Sequence, residues 1–297
     1  MASGMKIPGV LLVWALSATL VQAQPWPDSI QVPASRTEVY SRQDIKKPSP
    51  YTPVREADII FEKTVWRMVD MEEKANQPLY YPTTPMGRYR SLIRTIMDAV
   101  EADSLTVYAP QGFGNEFVTP LTRAQALEAM GAGSVTEKIY DIDETRDTVI
   151  FKTPQYEQVQ RLLIKEVHMF NKTSSRMEVR ITGLCPIRVI PREVYDQEME
   201  AVTGETEKAM RQTFWVFLPD ARDILASQPV MNRQNDAASL SYDDFLLQRR
   251  YSGLIYAISN MYNNRPISEF FKGEDALREA RRLEEALFNW EQDLWEY

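Results

Sequence analysis

The sequence predicts an α+β fold: a central, mostly antiparallel sheet flanked by helices, entered through an extended proline-rich N-terminal arm. Three observations predict it. The middle of the chain carries strand patterns joined by a short polar loop. Apolar residues at helical spacing precede and follow that region. Residues 24–54 contain six prolines, Pro25, Pro27, Pro33, Pro48, Pro50 and Pro53, with neither helical nor alternating periodicity. Strands and helices do not alternate regularly, which argues against a parallel βαβ sheet.

The chain has 297 residues, 44% of them apolar, which is enough for a sizeable core in one or two domains. Its formal charge is −8 and its pI about 5.0. An acidic, mixed-charge surface argues against nucleic acid as the main partner and offers no polybasic attraction to anionic lipid.

At the N-terminus, Lys6 precedes the apolar run "IPGVLLVWALSATLV", and "VQA" closes it at Ala23. A charged start, an apolar stretch and small residues at its end read as a secretory signal cut after Ala23. The run spans about 15 residues, short of the ~20 a membrane helix needs. No cysteine follows the cut, so lipidation at the new N-terminus is not expected. The arm is assigned 24–56, the core domain 57–271 and a C-terminal amphipathic helix 272–297.

The elements follow in order. In "ADIIFEKTVWRMVDMEEKA", Phe61, Val65, Met68 and Val69 keep three-four spacing and predict a helix, ended by a left-handed Asn76 with Pro78 blocking its continuation. A second helix, "MGRYRSLIRTIMDAVEA", places Leu92, Ile93, Ile96, Met97 and Val100 on one face. "LTVYA" predicts a short strand and "LTRAQALEAM" a short helix closed by Gly131. "TVIFK" at 148–152 predicts a strand. "RLLIKEVHMFN" and "RMEVRITGLCPI" predict a hairpin around "KTSS", because Met177, Val179 and Ile181 alternate with Glu178, Arg180 and Thr182. "REVYDQEMEAVTGETEKAMR" reads as partly helical, broken at Gly204. "TFWVFL" predicts an apolar, central strand. "SYDDFLLQRRYSGLIYAISNMYNN" predicts a helix capped by Ser241 and stopped at Asn264–Pro266. The last helix aligns Leu277, Ala280, Leu283, Leu287, Trp290 and Leu294, a stripe expected to pack on the domain.

The residues that carry chemistry are few. His168 is the only histidine and Cys185 the only cysteine. One of each leaves no conventional zinc site, and no nucleophile elbow accompanies the histidine. "YDIDETRD" clusters Asp141, Asp143, Glu144 and Asp147 but lacks the glycine and final glutamate of a calcium loop. "GFGNEF" lacks the third glycine of a dinucleotide fingerprint. "NKT" at 171–173 matches a glycosylation acceptor by pattern alone. No catalytic residue, cofactor or metal is therefore expected. Aromatic residues are plentiful, and Trp66, Tyr80, Tyr81, Trp290, Trp295 and Tyr297 are the candidates for interface or packing.

Three stretches in order, "VWRMVDMEEKANQPLYYP", "LIKEVHMFNKTSSRMEVRITGLCPI" and "FWVFLPDARDILASQPVMNRQNDAASLSYDDFLLQRRYSGLIYAISNMYNNRPI", resemble the GldN/PorN family of the type IX secretion system of Bacteroidota. The resemblance covers roughly Ala57 to Phe271. It implies a non-enzymatic, periplasmic structural subunit associated with the outer membrane through a GldK/PorK lipoprotein, self-associating in a ring and linked to the GldM/PorM motor protein. It further implies a role in protein export and, in gliding species, motility. An exported carboxylate-based hydrolase and a soluble adaptor that forms no ring are the alternatives.

Overall fold

The computed structural model describes residues 47–140, 145–196, 201–232 and 240–295. The expected signal sequence, Asp141–Glu144, Tyr297 and the arm before Lys47 lie outside the described residues. Ten strands are present among those described: β1 (Ile59–Asp70), β2 (Val107–Tyr108), β3 (Pro120–Leu121), β4 (Gly133–Tyr140), β5 (Thr145–Lys152), β6 (Val159–Asn171), β7 (Arg176–Asp196), β8 (Ala201–Gln212), β9 (Trp215–Phe217) and β10 (Leu254–Ile258). The helices are α1 (Gln77–Tyr80), α2 (Leu92–Glu101), α3 (Arg123–Ala129), α4 (Leu218–Ser227), α5 (Tyr242–Leu247), α6 (Ile267–Phe270) and α7 (Glu274–Trp295). None of them is long and apolar enough to cross a membrane.

The main sheet runs β10–β1–β6–β7–β9–β2–β3, with β8 on the far half of β7; β4 and β5 form a separate hairpin. Every pairing is antiparallel. The α+β class and the β6–β7 hairpin around "KTSS" thus stand as expected, and β9 lies inside the sheet but is only three residues long.

The pairing register sorts the side chains into two faces. One face carries Phe61, Val65, Arg67 and Val69 from β1, Leu162, Ile164, Glu166 and His168 from β6, and Val179, Ile181 and Leu184 from β7. At one end, α2, α4 and α5 cover it and build the largest apolar core, with Ile96, Met97, Leu225 and Phe245. At the other end α7 covers it, burying Ala280 and Leu287 against Val65, Ile255 and Ile267. The opposite face holds Trp66, Leu163, Cys185, Ile187 and Trp215, packed under Phe113 and Phe117. Cys185 is fully buried, as its apolar setting predicts.

The helices that form as expected have local causes. Ser91 caps α2 by accepting from the Arg94 amide, and the face predicted to be buried is buried. Thr122 and Gln125 form a capping box on α3, and Gly131 closes it at φ +85, a conformation glycine adopts without strain.

Three helical expectations are corrected. Residues 59–70 form β1, not a helix. Val65 and Val69 are buried on one face of the sheet and Trp66 on the other, so a strand covered on both sides shows apolar spacing that mimics a helical stripe. Asn76 is right-handed (φ −96), and Pro78 sits in the first turn of α1, where its missing amide costs nothing. Of residues 192–211, read as partly helical, those described form the outer half of β7 and most of β8, paired from Ile187↔Gln212 to Asp196↔Ala201. Val189, Ile190, Val194 and Tyr195 favour extended backbone, and the partner strand satisfies their amides and carbonyls. Ser241 does cap α5, but the helix ends at Leu247 and the remainder forms β10. Gly253 explains the change of state: a Cβ there would lie 2.6 Å from the Met68 carbonyl oxygen, so glycine lets the chain close onto β1. Asn263 and Asn264 are left-handed (φ 57 and 56), in the turn before α6.

Candidate functional site

Between the two apolar covers, one face of the sheet carries a buried charge cluster centred on Glu166. The carboxylate is inaccessible to solvent and takes four donors: Arg67 Nε at 3.2 Å, Tyr251 OH at 2.8 Å, Arg249 Nη2 at 3.1 Å and His168 Nε2 at 2.9 Å. An ionised carboxylate only accepts, so His168 carries its proton on Nε2. Burial pushes the Glu166 carboxyl up. The His168 hydrogen bond, the Arg67 and Arg249 guanidinium groups and the Tyr251 hydroxyl outweigh it and hold the carboxyl at about 2. Burial, reinforced by the Glu166 charge, raises the Tyr251 hydroxyl.

Arg67 extends the cluster outward. Its Nη1 donates to the Gly253 carbonyl at 2.7 Å and to Glu284 on α7 at 2.9 Å. One guanidinium therefore connects β1, β6, the start of β10 and the C-terminal helix. A polar basin of about 630 Å³, lined by Glu73, Arg249, Tyr251, Arg281 and Glu284, opens above it. With four donors around it, Glu166 is held in its ionised, accepting form. The cluster adds one ionic contact to the apolar packing that holds α7 on the sheet. Sequence reasoning passed over it, although Arg67 in "WRM" and Glu166 in "IKEV" are charges on the inward face of apolar strands.

Of the aromatic candidates, Trp66 is core. It is 1% exposed, meets Phe113 edge-on at 5.1 Å, and its Nε1 donates to Glu116 at 2.7 Å. Lys165 pairs with the other Glu116 oxygen at 2.8 Å. The "GFGNEF" stretch is thus a loop that supplies a buried anion to the aromatic face.

Tyr80 and Tyr81 stand edge to face at 4.9 Å. The Tyr80 hydroxyl donates to the Glu157 carbonyl, while Tyr81 is 49% exposed, follows α1 and precedes a cis Pro82. Tyr81, Pro78, Pro82, Met86 and Met231 line an apolar hollow of about 330 Å³, with Met86 52% exposed. The junction that carries it is held from below by Asn76. Its Nδ2 donates to the Asp70 and Ser252 carbonyls at 2.7 and 2.8 Å, and its Oδ1 accepts from the Ser252 amide at 2.8 Å.

Trp290, on α7, meets Phe61 at 5.0 Å and keeps 39% of its surface exposed. Trp295 is the last residue of α7, and Tyr297 lies beyond the described residues. The six candidates do not converge on one site: Trp66 lies on one sheet face, Trp290 over the other, and Tyr80–Tyr81 at the α1 junction. Asn171 of "NKT" is buried and accepts from the Thr173 amide, which closes a turn rather than presenting an acceptor. Among the described residues no group of three His, Cys, Asp or Glu side chains is placed to hold a metal.

The fold and its clusters describe a sheet-and-helix module with a C-terminal helix docked by apolar and ionic contacts and an apolar hollow open to solvent. The chain belongs to the GldN family: the family model described as "Gliding motility associated protein GldN" matches residues 54–296. The match runs through α7. No curated protein matches the chain.

Proposed function

We propose that the chain is a non-enzymatic structural subunit of the type IX secretion system. In this reading it resides in the periplasm, binds a GldK/PorK-like outer-membrane lipoprotein, self-associates in a ring and meets a GldM/PorM-like motor protein. The observation that carries the reading is the family match across 54–296. Two features support an assembly role. The buried Glu166 carboxylate is saturated by its own donors, and through Arg67 it adds an ionic contact to α7. The hollow at Tyr81 and Met86 offers rigid apolar area between prolines, which limits the entropy lost when a partner covers it.

The test is removal and restoration of the coding sequence in its host. Export of proteins bearing the system's C-terminal signals stops on removal and returns with the full chain. Unchanged export after removal contradicts the proposal. Single Asp or Glu to Ala changes that abolish an enzymatic activity without touching assembly would establish the hydrolase alternative instead.

A further inference from the structure

The last residues of the proline-rich arm are seated on the domain by two arginines. Arg222 on α4 donates through Nη2 to the Ser49 carbonyl, and Arg180 on β7 donates through Nη2 to the Thr52 carbonyl. The Tyr51 ring lies with Arg222 4.3 Å and Arg180 5.1 Å from its centroid, the range of cation–π attraction.

The receptor is built by the domain and not by the arm. Arg222 is buried and held bidentately by the buried Asp243, at 2.8 and 2.9 Å. Arg180 is held by Glu178 at 3.2 Å. Among the described residues, β7 around Arg180 pairs with β6: its pairing with β9 begins at Gly183 and with β8 at Ile187. The seat reads one ring and two backbone carbonyls, at the spacing that Ser49, Tyr51 and Thr52 present.

The connection to the domain is exposed, as are Ser49, Pro50 and Thr52 themselves, so the two arginines carry the seating. No residue from 53 to 57 is buried, and the short turn before β1 is closed by the Asp58 amide on the Arg55 carbonyl. Identical contacts form whichever copy supplies the segment, so rotation about this exposed link exchanges one arm for another at little cost in contacts.

We propose that the Arg180–Arg222 clamp is a peptide-binding site, and that in the assembled protein it takes the Pro48–Pro53 segment of a second copy. The donating segment and the receiving clamp are different surfaces, so exchange runs head to tail, the geometry that closes into rings. The proposal rests on the reading of the chain as a self-associating subunit.

The test places the photoreactive residue benzoylphenylalanine at Tyr51 of the full chain in its host. After irradiation, denaturing gels are read beside the native mass of the same sample. The expected result is a covalent ladder of this chain, with the link mapped to residues 218–227 or to Arg180. Arg180→Ala, whose thermal melting is followed alongside, lowers the ladder about tenfold. A link confined to single chains, a link to a different protein, or no link at all overturns the exchange. If such chains nevertheless have a multimeric native mass, the subunit reading stands without it. If the chain never associates, both fall.

Discussion

Arg67 on β1 and Glu166 on β6 are diagonal neighbours on one face of the sheet, with Arg67 Nε 3.2 Å from Glu166 Oε1 and both side chains buried. The pair sits where two separately covered halves of that face meet. The same guanidinium reaches Glu284, so one ion cluster stabilises the sheet and contributes to the docking of α7.

Replacing Glu166 exposes that contribution. Glu166→Gln keeps the shape but leaves Arg67 and Arg249 facing a neutral amide, and is expected to cost about 3–5 kcal/mol at neutral pH, measured by urea unfolding. The wild-type protein carries a matching acid sensitivity. The folded-state carboxyl lies at about 2, below its usual 4.5, so its contribution is complete above about pH 4.5 and lost as pH falls toward 2. That separation corresponds to on the order of 3 kcal/mol. The variant loses this part of the slope. Equal slopes for the two proteins between pH 4.5 and 2 contradict the assignment.

Asn76 ties the end of β1 to the start of β10. Asn76→Ala removes four hydrogen bonds of a fully buried side chain, the longest to Glu73, and opens a void where it packed. The expected loss is about 2–4 kcal/mol, read from denaturant midpoints, with Ser252 gaining amide exchange. A neutral substitution would show that the junction is not held this way.

The C-terminal helix divides its attachment between apolar and ionic contacts. Leu287→Ala, at a buried position, is expected to cost about 2–4 kcal/mol. Glu284→Ala, half exposed, is expected to cost about 1 kcal/mol or less. Hydrogen exchange in the Leu287 variant rises along α7 while β6 and β7 stay protected. Uniform loss of protection would show that α7 does not open separately.

The hollow beside Tyr81 belongs to the surface, and recognition is the role proposed for it. Tyr81→Ser with Met86→Ser is expected to leave stability within about 1 kcal/mol and to weaken capture of the lipoprotein partner in a pull-down. Unchanged capture removes the hollow from the interface.

Much of this was legible in the sequence where one face of an element is wet. The α2 and α7 stripes, the β6–β7 alternation, and the Ser241 and Thr122 caps all appear as local patterns. Legibility failed where tertiary contact decides. β1 is covered on both faces and so lost its alternation. Gly253 reads as a break in a helix until the Met68 carbonyl is seen against it. The charge cluster joins Arg67, Glu166, Arg249 and Glu284, which no local spacing connects. The Tyr51 seat depends on arginines more than 120 residues away. "NQPLYYP" was recognisable as a family mark, but its chemistry reversed: Asn76 begins a turn of helix and buries its side chain, instead of ending a helix.

As proposed, this chain is an assembling subunit. The most direct measurement is the native mass, with imaging, of the chain co-produced with the proposed GldK/PorK-like lipoprotein. One large complex containing both proteins, ring-shaped in projection, is expected. Two separate monomers at the same concentrations would contradict it.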